Sequence, residues 1–143
     1  MSEFNAALGL LQLEGIDKAL ARRGAVDRRY RAGISDIAGI RCLKPAGEVR
    51  SNYAYFPVLV QPDYPLTRDE LYQRFRDHGI IVRRYFYPLI SDFPMYRGLP
   101  SAAHENLPVA RRIAGEVLCL PIYPDLALNQ VDRIVDLMRV PRA

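Results

Sequence analysis

Apolar residues recur along the chain with two periods, and the first stretch to show one is "SEFNAALGLLQLEGIDKALARRGAVDRRYRAGISDI". It has no proline and is rich in Ala, Leu and Arg, which predicts helix with a weak point near Gly15 or Gly24. Ser2 stands where a helix cap belongs. The first half is apolar on most sides. Phe4, Ala7, Leu8 and Leu11 share one face, and Ala6, Leu10 and Leu13 cover much of the rest. A helix of that kind is buried on most sides, so a further domain or a partner chain is expected to cover it. From Ile16 the charges return, and Glu14 stands four residues before Lys18, the order that favours a helical ion pair.

The rest of the chain alternates between strand-like and helix-like patterns. "GIRCLKPAGEVRSNYAYFPVLVQ" predicts a short extended piece, a turn at "KPAGE" and a strand through "YAYFPVLV", where Pro57 argues for an edge strand or a bulge. "PLTRDELYQRFRDHGI" carries a helix signature: Thr67 with Glu70 three residues on as a capping box, Leu71 and Phe75 facing inward, Gly79 as the stop. "IIVRRYF" predicts another strand, and residues 87–108 a long loop punctuated by proline and glycine, a kind of loop that often has a function. Pro108 opens a helix through "VARRIAGEV", "LCLPIYP" returns as a strand, and "LALNQVDRIVDLMRV" closes as a helix with Val131, Ile134, Val135 and Met138 inward. The fold class is therefore α/β (α+β), a long N-terminal helix followed by a small sheet packed on helices. The one candidate boundary lies near Gly39. It divides a connecting helical segment, residues 1–38, from a small α/β domain, residues 39–143.

Composition narrows the function classes. The chain has 143 residues, half of them apolar and a quarter charged, and is neither disordered nor fibrous in type. No apolar run is long enough to span a bilayer and the N-terminus lacks a signal-peptide pattern, so a soluble cytoplasmic protein with no membrane partner is expected. Cys42 and Cys119 are expected to be reduced core thiols, and no metal site can be assembled from the His and Cys present. His78 suits a helix C-terminus. The net charge of +4 comes from eighteen arginines and two lysines against sixteen acids. These arginines either line solvated faces or, in part, hold an anionic ligand such as a phosphate, for which a planar fork is well suited.

No catalytic residue is evident. The chain has no glycine-rich phosphate loop and no nucleophile elbow, and Ser91, His104 and Asp92 form a set only by lying in loops. A lysine that forms a Schiff base needs a desolvated or positively crowded pocket. Lys18, on a charged helix side, and Lys44, in a turn, are both poorly placed for that.

Four segments, "MSEFNAALGLLQLEGID", "HGIIVRRYFYPLISDFPMYRGLP", "LPVARRIAGEVLCLPIYPDL" and "VDRIVDLM", follow one another as in the C-terminal part of the DegT/StrS-type nucleotide-sugar aminotransferases. "RRYFYPLI" most resembles members that aminate C4 of a dTDP-4-keto-6-deoxyhexose. The resemblance implies the small C-terminal domain of an aspartate-aminotransferase-type (fold type I) enzyme. It also implies pyridoxal phosphate (PLP) held by a large domain upstream of Met1, a homodimer, glutamate as amino donor and a nucleotide-diphosphate sugar as substrate. Without that large domain the chain is expected to be inactive and not to bind PLP alone. The resemblance further places Arg83 or Arg84 toward the diphosphate, Tyr85 and Tyr87 toward the sugar, and Ser2, Glu3 and Asn5 near the cofactor. Many relatives have histidine at the positions of Tyr85 and Ile90, so no acid/base role carries over to this chain.

Structural readings stand beside these: the aromatics also read as packing residues at a strand end, and Ser2 as a helix cap. A different function class is also open, a stand-alone non-catalytic module that binds nucleic acid or another polyanion through "NYAYFPVLV" and the arginine surplus. The interleaving of acids in "RRGAVDRRYR" and "TRDELYQRFRD" speaks against it, so no nucleic-acid partner is expected.

Overall fold

The computed structural model describes residues 2–44, 47 and 49–141. Two helices open the chain, α1 (Glu3–Glu14) and α2 (Ile16–Ile34). The Ser2 hydroxyl caps α1 by accepting the Asn5 N–H at 3.3 Å. The weak point is Gly15, which ends α1, whereas Gly24 is interior to α2 and lets the Tyr53 ring approach. A Cβ at Gly24 would lie 3.2 Å from that ring. The break at Gly15 separates Glu14 from Lys18, and the expected ion pair between them is not formed.

Three antiparallel strands, β1 (Ile40–Cys42), β2 (Phe56–Val60) and β3 (Val117–Leu120), form one sheet in the order β1-β2-β3. Part of the expected turn before β2, namely Pro45, Ala46 and Glu48, lies outside the described residues. Pro57 is not on an edge strand, since β2 is the middle strand and is paired on both sides. The register explains how a proline is tolerated there. Its partner Cys119 directs both backbone groups to Arg83, so Pro57 faces the opposite side of β2, and there β1 has already ended at Cys42, opposite Val58. The missing N–H thus falls where no neighbour requires it.

"IIVRRYF" is not a strand either. It contributes one bridge, in which Arg83 N–H donates to Cys119 O at 3.1 Å and Cys119 N–H donates to Arg83 O at 2.8 Å. The chain then turns away, with Phe86 at φ 49°, and cannot extend the ladder.

Helices α3 (Arg68–Asp77), α4 (Pro108–Glu116) and α5 (Leu128–Met138) complete the fold. The capping box of α3 is present: Thr67 Oγ1 accepts the Glu70 N–H at 3.3 Å and Glu70 Oε2 accepts the Thr67 N–H at 2.7 Å. These bonds hold the Glu70 carboxyl below its ordinary pKa. Gly79, at φ 73°, follows the helix end. The long loop is compact, with 3-10 turns at Ile90–Asp92, Pro100–Ala102 and His104–Asn106 and a 2.7 Å pair from Asp92 to Arg111 on α4.

Helices α2 and α5 run parallel, side by side. Arg22 pairs with Asp125 at 2.7 Å, Arg29 with Asp132 at 2.6 and 2.8 Å, and Asp36 with Arg139 at 2.9 Å, each pair 103 residues apart in sequence. The paired positions rise together along both segments, with Arg29–Asp132 joining the helices themselves and Asp36, Asp125 and Arg139 lying just beyond their ends, an order that only parallel neighbours can match. Between them Gly33 lets Val135 come close, where a Cβ would meet it at 3.1 Å. One core joins Val26, Tyr30 and Ile34 of α2 to Phe56, Leu71, Phe75, Leu118 and the inward residues of α5. Tyr30 stacks on Phe56 at 4.8 Å and donates to Pro121 O at 3.0 Å, while Tyr64 donates to Met138 O at 2.6 Å. Gly39 lies in the link between α2 and β1, which the shared core spans. There φ is 80°, and a Cβ would lie 2.5 Å from the Tyr64 backbone.

Helix α1 has no buried residue, with Phe4 77% and Leu10 66% exposed. The over-apolar helix read from the sequence is thus solvent-facing in this chain.

Candidate functional site

The segment 82–89 leaves the sheet in two steps. Val82 is buried and Arg83 is held to β3 through its backbone, so the next residues are delivered from a fixed point. The Arg83 side chain is exposed and makes no ion pair among the described residues. Arg84 is committed elsewhere. Its Cζ lies 4.7 Å from the Tyr72 ring centroid and 4.5 Å from that of Tyr87, and its Nη1 donates to Asp69 Oδ1 at 3.3 Å.

Under this stack is Arg68, at the first position of α3, with its Cζ 4.8 Å from the Tyr87 ring centroid. Burial, joined by the charge of Arg84, draws the Arg68 pKa down, while Asp69 and Tyr87 push it up. The other two aromatics form a separate cluster: Tyr85 lies 5.3 Å from Tyr55 and 4.1 Å from Phe86, centroid to centroid. Phe86 is 72% exposed and holds a left-handed backbone conformation that costs a bulky residue roughly 1–3 kcal/mol.

Of the residues singled out from sequence, the structure therefore joins Arg84 to Tyr87, sets Tyr85 beside Tyr55, and leaves Arg83 free at the sheet edge. Ser2, Glu3 and Asn5 lie on the exposed end of α1, and no hydrogen bond or ion pair links them to the loop. Sequence reasoning missed Arg68, Asp69, Tyr72 and Tyr55. A signal for Arg68 was present, because it stands three residues before Leu71 on the stripe that continues to Phe75 and so belongs to the buried face of α3.

A cleft of about 1070 Å³ lies elsewhere, between α2 and a wall of Leu43, Lys44 and residues 49–53. Its charges are mostly satisfied: Arg31 is paired with Asp27 at 2.8 Å and with Leu43 O at 2.7 Å, and Arg50 with Asp17 at 2.9 Å. Size alone does not make it the site, since none of the 83–89 residues lines it.

A family profile for the DegT/DnrJ/EryC1/StrS aminotransferases matches residues 1–139. The chain belongs to that family. It is 44% identical over 96% of its length to a dTDP-4-amino-4,6-dideoxy-D-glucose transaminase of Escherichia coli, and 45% identical over 97% to the transaminase of the same name from Shigella dysenteriae. It spans 37% of the length of each of these relatives. Among solved structures, DesI, determined in the presence of its TDP-sugar product, matches 97% of this chain and 35% of its own with a TM-score of 0.87 at 28% identity. The fold expected from the resemblance, a small mixed domain found within sugar aminotransferases, is the fold observed.

The family implies PLP in an intact enzyme. The described residues do not make a PLP site by themselves, since Lys18 and Lys44 are both exposed and neither belongs to the aromatic and arginine cluster. No described helix is long and apolar enough to cross a membrane.

Proposed function

We propose that this chain is the substrate-facing part of a PLP-dependent transaminase that moves an amino group from glutamate to a keto-deoxysugar carried on a nucleotide diphosphate. The observation that carries the reading is the 44–45% identity, over nearly all of the chain, to two transaminases named for a dTDP-linked amino sugar. Residues 1–38 connect and residues 39–143 form the small domain, and a large domain upstream supplies the lysine and most cofactor contacts. The whole enzyme is a cytoplasmic homodimer. The exposed apolar residues of α1 support a cover by the large domain or the second subunit.

In this reading the two adjacent arginines have different tasks. Arg83 carries a charge that no carboxylate among the described residues pairs with, on a backbone fixed to the sheet, and meets the diphosphate. Arg84, held by Asp69 and two rings, braces the loop. Tyr85, in the cluster with Tyr55 and Phe86, offers an aromatic face and a hydroxyl to the deoxysugar, and Tyr87, on the two arginines, offers a second hydroxyl. Ser2, Glu3 and Asn5 are on the cofactor side. Bound PLP supplies the electron sink, and the residues of this chain orient the sugar. Polyanion binding has less support, because acids engage arginines of α2, α3 and α4 and Arg139 just after α5.

The test is to purify the native gene product, weigh it, and supply PLP, glutamate and a dTDP-4-keto-6-deoxyhexose. A product more than twice the mass of this chain that forms the amino sugar is expected, while the 143-residue chain alone forms none. Amino sugar made by the short chain would overturn the assignment of the lysine to another domain. None made by the native product would overturn the reading itself.

A further inference from the structure

Arg68 is the one charged residue buried among the described residues, 5% exposed, at a helix position where its stripe otherwise holds Leu71 and Phe75. Its Nε and Nη1 have no hydrogen-bond partner. Asp69 Oδ1 lies 2.9 Å from Nε but off the N–H direction, and the same oxygen accepts from Arg84 at 3.3 Å. One carboxylate thus faces two guanidinium groups, and the trio retains a positive charge. What the two cations share is the Tyr87 ring, at 4.8 and 4.5 Å.

Stability does not call for this arrangement. An apolar side chain of similar volume would fill the position without orphaned donors, and such replacements are often neutral or stabilising. A planar guanidinium supplies what an apolar group cannot, a charge of fixed orientation against an aromatic face, strongest where water is excluded. The geometry is that of a clamp from the protein side: Arg68 beneath Tyr87, and Asp69 bridging to Arg84, which also rests on Tyr72.

We infer that Arg68 is a positioning residue for the 83–89 loop, fixing the Tyr87 ring and, through Asp69 and that ring, the Arg84 guanidinium before any ligand arrives. The consequence for nucleotide-sugar binding rests on the function proposed above, whereas the positioning itself does not.

Two measurements separate these. In the 143-residue chain with ring-labelled tyrosine, nuclear Overhauser contacts join the Tyr87 ring to the Arg68 and Arg84 side chains. In Arg68→Met the Tyr87–Arg84 contact is lost and the Tyr87 signals move toward those of a solvated tyrosine, while the Tyr30 and Tyr64 rings keep their shifts. A Tyr87–Arg84 contact that persists in Arg68→Met overturns the proposal. Should that variant fail to fold, Arg68→Lys keeps the stem and the charge but not the planar face; loss of the contact there supports the clamp and its retention overturns it.

The second measurement is dTDP binding by the native gene product, expected to be about tenfold weaker in Arg68→Met, the equivalent of about 1.4 kcal/mol. Equal affinity in variant and wild type overturns the role in ligand binding. No dTDP binding by the wild type removes the ligand reading, and the ring signals still decide the clamp.

Discussion

Cys119 combines a backbone role with a buried thiol. Its N–H and carbonyl are both bonded to Arg83, and burial pushes its thiol up to about 11, with Arg83 pulling it back in part. Because the folded pKa exceeds the unfolded one, the fold favours the protonated thiol. That stabilisation is complete below the ordinary value of 9.0 and is lost as pH rises toward about 11. Urea midpoints are therefore expected to fall between pH 9 and 11, and to fall less steeply in Cys119→Ala; equal slopes would remove Cys119 as the cause. Cys42, also raised by burial, adds to the same trend, and Tyr64, pushed up to about 12, extends it to higher pH. A different residue tests the polar side of the core. Tyr30→Phe leaves Pro121 O without its donor at 3.0 Å, and a loss of about 1–3 kcal/mol in denaturant titration is expected.

At the scale of elements, the helices were legible and the strands only partly so. α3 and α5 carry their signals locally, in a capping box, a period of apolar positions and a glycine stop, and their inward apolar residues are the ones read from the sequence, with Arg68 the buried residue of α3 that was missed. The strands depend on partners far along the chain. Nothing near Pro57 reveals that β1 ends one residue short of it, and nothing near Arg83 reveals that only a single bridge will form. The candidate site was legible in the same uneven way. Its loop was found from "RRYFYPL", but its support was not, because the charge of Arg68 outweighed the stripe it shares with Leu71 and Phe75. The link between α2 and β1 gives a sharp test. Gly39→Ala would force a Cβ to within 2.5 Å of the Tyr64 backbone at φ 80°, so a loss of more than about 1 kcal/mol, or failure to fold, is expected from its melting curve.

For the whole molecule, α1 divides what folds the chain from what covers it. Replacing Leu10 and Leu11 by Gln is expected to leave the unfolding free energy within about 0.5 kcal/mol of the original. The same change should lower self-association in sedimentation experiments, because those side chains bury nothing here. Leu118→Ala, fully buried on β3, should cost about 2–5 kcal/mol by contrast. Equal losses from both changes would mean that α1 packs on the fold more closely than its exposure allows.

The pairing of Arg83 with Cys119 has a further consequence, for how such a protein can diverge. The anchored residue lies on the sheet and the rings that follow lie off it, with Phe86 and Tyr87 both largely exposed. Substitutions among residues 85–90 can therefore exchange one surface shape for another while the backbone of the arginine before them stays where β3 holds it. Descendants of this chain could inherit a constant handle for charge and explore new rings around it, one residue at a time, without refolding.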